Sequence, residues 1–229
     1  MFKINYESFI SSFQSQGYNF ISFNQLDLNK NSQIIMRHDI DVDIDLAYKM
    51  AVIEKNLGIK STYFFLLCNE SYNLISDKNS LIIKNIADMG HTISLHFDMS
   101  IYKNPIENLK NELKIFDDVF KTNTDIISIH RPNEKFLNNP NNYFKVTNTY
   151  ESNFVKKIKY YSDSRGSFRF GNPLESDSFN SKSNMQICIH PIWWIDNDLD
   201  LNRTIYRIAD NKKENLLKHF EKNIEPFNR

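Results

Sequence analysis

Gln33-Ile34-Ile35-Met36-Arg37-His38-Asp39-Ile40-Asp41 is an apolar run that ends in charge. Residues 33–38 read as a strand, which puts Asp39 and Asp41 two apart at its end. In an extended strand, residues i and i+2 point to the same side. The two carboxylates would therefore sit together and repel, unless one takes a proton or a cation lies between them. Most proteins avoid this arrangement, and metal-dependent hydrolases require it. One member would bind a metal and the other would act as a general base. The alternative is a cluster that caps the next helix. Asp43 and Asp45 continue the acidic run and suit capping, whereas Asp39 stands at the strand end.

Working outward, strands and helices alternate. Residues 5–16 form an amphipathic helix with Phe9, Ile10 and Phe13 on one face and Gly17 at its end. Asp43 or Asp45 caps a helix running to Leu57, with Leu46, Met50 and Ile53 at helical spacing and Gly58 just beyond. Residues 61–67 are β-branched and aromatic, which suits a buried strand. A helix over 79–89 stops at Gly90, and a strand covers 92–97. Pro105 opens a helix to Phe120, and a strand covers 125–129. Residues 133–157 are rich in Asn and read as loop. Strands over 159–162 and 185–189 follow, then a helix over 201–222. Apolar strands alternating with helices predict an α/β fold with a parallel sheet covered on both faces. The expected organisation is one domain over 1–229, with a short helical extension at 1–30.

Composition narrows the function classes. Lys+Arg and Asp+Glu are both 28, so the formal net charge is zero, which argues against a nucleic-acid or polybasic membrane surface. No apolar run approaches the roughly 20 residues of a membrane span. Residues 1–7 lack a basic start followed by an apolar core, so no leader is expected and the cytoplasm is the expected location. The only two cysteines, Cys68 and Cys188, lie in apolar runs and read as buried free thiols.

In open parallel sheets and barrels, chemistry collects at the C-terminal strand ends. Asp39, His96, His130 and His190 all fall there, Asp163 follows a strand, and His91 lies just ahead of one. His96 and Asp98 share a strand face, and an imidazole with a carboxylate suits zinc or a similar divalent ion. His96 equally suits a satisfied core histidine. Arg131, in His130-Arg131-Pro132, could grip a carboxylate at two points. His190, followed by Pro191, Ile192, Trp193 and Trp194, suits a general acid beside a flat stacking surface, although buried indoles often serve only as packing.

The order of these pieces is paired aspartates, then His, Arg-Pro, Asp and His. In that order the chain resembles the polysaccharide deacetylases, the NodB-homology domain of carbohydrate esterase family 4. The likeness is to a branch with an Arg-His-Asp-x-Asp first motif, found among surface-polysaccharide genes, and it covers residues 33–194. The resemblance implies an irregular (β/α) barrel with fewer than eight regular strands. It implies Asp39 as catalytic base, Asp41 and His96 as metal ligands and Arg131 as the arginine that holds the base. Asp163 would tune the acid side and His190 would be the general acid. Ile187 or Ile189 would line the pocket for the acyl methyl, with Trp193 and Trp194 against the sugar. Arg37 and His38 would support the pair.

Two positions depart from the pattern. Ser100 stands where the second metal histidine is usual, and Val42 stands where a glycine usually follows the aspartates. Asp98 is the expected third ligand, with His91 and His130 as alternatives. The implied cofactor is a divalent metal, zinc first. The implied substrate is an acylated, N-acetyl-bearing sugar, and the expected lack of a leader favours a nucleotide-linked or lipid-linked precursor. A metal-free sugar-binding protein and a deformylase or other amidohydrolase on the same fold are the rival functions. An HD-type phosphohydrolase built on His38-Asp39 conflicts with the strand placement, because those sites lie on helices.

Overall fold

A computed structural model describes residues 4–195 and 201–227. Residues 1–3, on which the leader expectation partly rests, lie outside the described set. The described residues divide into two compact units, 4–195 and 201–227. The second unit holds one long helix, Leu201–Asn223, which carries many exposed polar residues. No described helix is long and apolar enough to cross a membrane.

The first unit alternates as expected: α1 (Tyr6–Ser15), β1 (Asn19–Ile21), β2 (Gln33–Ile40), α2 (Ile44–Asn56), β3 (Thr62–Leu66), α3 (Asp77–Asp88), β4 (Thr92–Asp98), α4 (Pro105–Phe120) and β5 (Ile126–His130). Short pieces follow: α5 (Glu134–Asn138), α6 (Pro140–Tyr143), β6 (Thr147–Asn148), α7 (Ser152–Val155), β7 (Lys159–Ser162), α8 (Asp177–Asn180) and β8 (Met185–Ile189). All the pairings are parallel, in the order β6-β5-β4-β3-β2-β8-β7, with β1 against the start of β2. This is a curled α/β half-barrel with fewer than eight regular strands, as the resemblance implies, since β1 and β6 span only three and two residues.

Local signals explain the boundaries. The Asp43 carboxylate accepts from the Leu46 N–H at 3.0 Å, so Asp43 rather than Asp45 caps α2. Asn5 does the same for α1 through Ser8 N–H at 2.8 Å. Pro105 occupies the first turn of α4, where its missing N–H costs nothing.

The period of two sorts the strands into two faces. Outward, Ile40, Tyr63, Phe65, Leu95, Phe97 and Ile129 form one core with Ala47 of α2, Ile83 of α3 and Phe116 of α4. Each such side chain contributes about 1.5–3 kcal/mol on full burial. Inward, Ile35, Phe64 and Ile126 pack with Phe23, Phe154 and Ile158 as a plug at the N-terminal ends of the strands. Above that plug the interior turns polar. Along β2 the inward positions run Ile35, Arg37, Asp39, and Asp41 follows in the next turn. The sheet thus delivers charge to its C-terminal mouth.

Candidate active site

Three strand ends converge on one point. Asp41 Oδ1 lies 3.3 Å from His96 Nε2 and 3.5 Å from His130 Nδ1, and the two imidazole nitrogens are 3.1 Å apart. Register explains the meeting: β4 and β5 pair with His96 opposite Ser128 and Asp98 opposite His130. Asp41 Oδ1 is buried without a hydrogen bond. A zinc ion with ligand distances of about 2.0–2.1 Å in a tetrahedron has ligands roughly 3.3 Å apart. The three spacings bracket that value, and one carboxylate with two imidazoles is a borderline donor set. The residues therefore fit a divalent ion. Burial works against charge at Asp41, yet His96, with His190 and His130, holds its carboxyl below the usual range. At His130, burial and the neighbouring His96 lower the imidazole, which keeps a lone pair available.

Asp98 does not join this group. Its Oδ1 accepts from the Ser100 backbone N–H at 2.9 Å and the Ser100 hydroxyl at 2.5 Å. It caps the short turn Met99–Ile101, so its carboxylate is spent where the strand ends. His130, one of the two alternatives, is the residue that lies with Asp41 and His96. His91 is elsewhere: its Nδ1 accepts from Ser61 N–H at 3.3 Å and its Nε2 donates to the Ala51 carbonyl at 3.2 Å.

Asp39 lies beside the triad, with Oδ2 3.8 Å from His96 Nε2. Arg37 Nη2 donates to Asp39 Oδ2 at 2.8 Å, and Ser128 Oγ donates to the same oxygen at 3.3 Å. Arg37 is fully buried, donates to Gln186 Oε1 at 3.3 Å and lies 5.2 and 5.6 Å from the Tyr150 and Tyr160 ring centroids. Burial would discourage charge on Asp39, but the Arg37 guanidinium, with His96 and His190, holds its carboxyl well below the usual carboxylate range. Asp39 Oδ1 is buried with no hydrogen bond. Arg131, the arginine the resemblance assigns to Asp39, is exposed at the cavity wall. Arg37 makes the contact instead, from two residues earlier on the same strand face. That i−2 spacing was the available signal.

On the other side, His190 Nδ1 donates to Asp163 Oδ1 at 2.5 Å. The Asp163 carboxylate also accepts from the His190 backbone N–H at 3.1 Å and from Trp194 Nε1 at 2.7 Å. His190 Nε2 is left facing Asp41 Oδ2 at 3.8 Å. Burial works against the imidazolium, but Asp163, with Asp41 and Asp39 beyond it, pushes the His190 pKa up to about 9.

A cavity of about 980 Å³ opens over these groups. Trp193 lines it. Trp194 does not: it is buried against Tyr6 and Phe9, at 5.7 and 4.9 Å between ring centroids, with its N–H committed to Asp163. Ile187 and Ile189 are fully buried on the other face of β8, and Cys188 lines the cavity between them. The expected apolar wall is displaced by one residue, which in a strand is the opposite face. Burial pushes the Cys188 thiol up, so it is an inert wall group. Cys68 is an exposed thiol and not a buried one. His38, next to Asp39, points away from the cavity and lies 2.8 Å from Glu54 Oε1.

No protein-family model and no curated protein matches the chain. Solved structures do. The chain is similar to a family 4 carbohydrate esterase from Bacillus anthracis at 13% identity, over 93% of this chain and 89% of that one, with a TM-score of 0.48. It is similar to the Streptococcus pyogenes deacetylase PplD in complex with acetate at 15% identity, over 82% of each chain, with a TM-score of 0.47. A family 4 pseudoenzyme from Bacillus anthracis aligns at 12% identity, over 81% of this chain and 63% of that one, with a TM-score of 0.45. The likeness is one of chain path, and the part played by each side chain rests on the geometry above.

Proposed function

We propose that this chain is a metal-dependent hydrolase that removes an acyl group, N-acetyl in the first instance, from a sugar. The observation that carries the reading is one arrangement. Asp39, paired with Arg37, and His190, paired with Asp163, stand beside the Asp41, His96 and His130 cluster. Those three residues would hold the ion, zinc first. Once bound, the ion supplies Lewis-acid polarisation of the acyl carbonyl and lowers the pKa of water.

The chain's own groups do the proton work. Asp39 Oδ1, the oxygen without a partner, accepts the proton of the attacking water. Arg37 holds Oδ2, so the carboxylate keeps one orientation and stays ionised. His190 Nε2 donates to the leaving amine or alkoxide, while Asp163 fixes the ring through Nδ1. Cys188 and Tyr160 line the cavity beside this proton path. The Arg-His-Asp-x-Asp motif supports a place in surface-polysaccharide assembly.

Asp39→Asn keeps the shape and removes the base. Deacetylation of an N-acetylated sugar should fall by about 10²–10⁴, while elemental analysis still finds one metal per chain. Wild-type-like turnover would remove Asp39 from the role. A wild-type chain that neither binds zinc or cobalt nor is activated by them would favour sugar binding alone.

A further inference from the structure

Three arginines stand along the wall of the same cavity, outside the reaction centre. Arg131 follows β5 directly, and Arg165 and Arg169 lie in the loop after β7. Among the described residues, none of the three lies within ion-pair distance of a carboxylate. The nearby acids are committed elsewhere. Asp39 is paired with Arg37, Asp41 faces the histidines, Asp43 caps α2 and Asp163 holds His190. The Arg169 guanidinium donates to Ser164 Oγ at 3.2 Å.

Two of the five described non-glycine residues with positive φ lie on the same wall. Arg131 and Arg165 have φ of 48° and 65°, the left-handed region. An L-residue there costs roughly 1–2 kcal/mol, which glycine would avoid. Strain of this kind gathers where a side chain must be aimed. The two positions keep a large cationic side chain at that cost, and both side chains reach the cavity.

Beside the arginines lie two flat surfaces. Phe170 is 81% exposed, with the Arg169 guanidinium 5.7 Å from its ring centroid. The Trp193 ring is backed by Gly166, where an added Cβ would sit 3.6 Å from it. Guanidinium groups match phosphate oxygens in a two-point fork, and aromatic faces take a planar ring.

We infer that the acylated substrate carries a phosphate or diphosphate group, which Arg131, Arg165 and Arg169 grip while the sugar reaches the reaction centre. This deepens the proposed deacylation and rests on it for the sugar. The anion site itself stands on the arginines alone.

The test has two arms. The first measures kcat/KM of the metal-loaded enzyme for N-acetylglucosamine, its 1-phosphate, its uridine diphosphate conjugate and a short polyprenyl diphosphate conjugate. At least about a tenfold gain is expected for the phosphate-bearing compounds. A preference between the last two identifies the carrier as nucleoside or lipid. Arg165→Gly relieves the strained φ, so it should fold, and it should shrink the gain mainly by raising KM. Arg169→Gln is the second variant.

The second arm titrates inorganic pyrophosphate into chelator-treated protein by calorimetry. Binding should be clear in the wild type and weaker by about tenfold in Arg165→Gly. Equal kcat/KM across the four compounds, with no pyrophosphate binding, overturns the inference and leaves deacylation intact. If no acylated compound turns over, deacylation fails, and the pyrophosphate arm still decides the anion site.

Discussion

The two faces of β2 carry two buried carboxylate clusters that differ in one respect. Inward, Arg37 meets Asp39 at 2.8 Å. Outward, His38 meets Glu54 of α2 at the same distance. Glu54 is saturated. Its Oε1 also accepts from Tyr6 at 2.6 Å and Ser61 at 2.7 Å, and its Oε2 accepts from Tyr63 at 2.5 Å. The inward cluster leaves Arg37 Nε, Asp39 Oδ1, Asp41 Oδ1 and His96 Nδ1 buried without partners, against His38 Nδ1 alone outward. Buried polar groups are normally satisfied, and the exceptions need a reason. A filled network ties α1 and α2 to the sheet. An unfilled one awaits a ligand. Two carboxylates of similar burial thus do different jobs, and the count of unmet hydrogen bonds separates them.

Breaking the outward cluster should therefore cost stability and spare the site. Glu54→Ala strands four donors, from Tyr6, His38, Ser61 and Tyr63, and should destabilise by about 3–5 kcal/mol in urea unfolding. Its folded fraction should still bind metal. The same cluster predicts an acid limit. Burial would raise the Glu54 pKa, but His38, with His91 and Tyr6, brings it down to about 2 from an ordinary 4.5. A depressed carboxyl contributes its stability above the unfolded value and loses it as pH falls through the folded one. On the order of 3 kcal/mol should disappear between about pH 5 and pH 2. A flat stability curve over that range would show that Glu54 is not the anchor.

Much of this contrast was legible in the sequence. The alternation around Arg37 to Asp41 marked the faces, and strand-end histidines marked the mouth, because hydrophobic period and chain order are local properties. Ile187 and Ile189 differ from the expected wall by one residue inside β8, and the other departures lie where a strand stops. Asp98 continues the face of His96 by counting, yet as the last residue of β4 it caps the turn Met99–Ile101 and its carboxylate bends back to Ser100. Arg131 follows β5 but has already turned to φ 48°, away from Asp39. Trp194 lies beyond the turn Pro191–Trp193, which rotates it toward α1 and the core. Sequence periodicity holds inside an element; one residue past its end it still placed Asp41 and His190, but not Arg131. The short pieces β6 and α5 to α8 escaped for a related reason, since two to five residues hold too little pattern.

A smaller effect tests the inward ligand set. His130→Ala should weaken zinc binding by more than about 100-fold, because a direct ligand matters at least as much as the outer groups that orient it. Asp98→Ala should keep the metal and lose only the cap on Met99–Ile101. The opposite pattern, with zinc lost in Asp98→Ala and kept in His130→Ala, would return the third ligand to β4 and undo the distinction between open and filled clusters.

The smallest effect concerns the acid. His190 is held protonated up to about pH 9 chiefly because Asp163 outweighs burial. A raised imidazole is charged below its pKa, so a reaction needing the imidazolium proceeds below about 9 and declines above it. In Asp163→Asn the opposing carboxylate is gone and burial acts unopposed by it. The alkaline limb of kcat/KM should then move to lower pH by at least a unit. Trp194→Phe removes the 2.7 Å hydrogen bond to Asp163 Oδ2 but leaves the carboxylate beside His190, so it should move the limb less. Glu54→Gln acts on the far face of β2, so its limb should stay where the wild-type limb lies. An unchanged limb in Asp163→Asn would mean that His190 is not the proton donor.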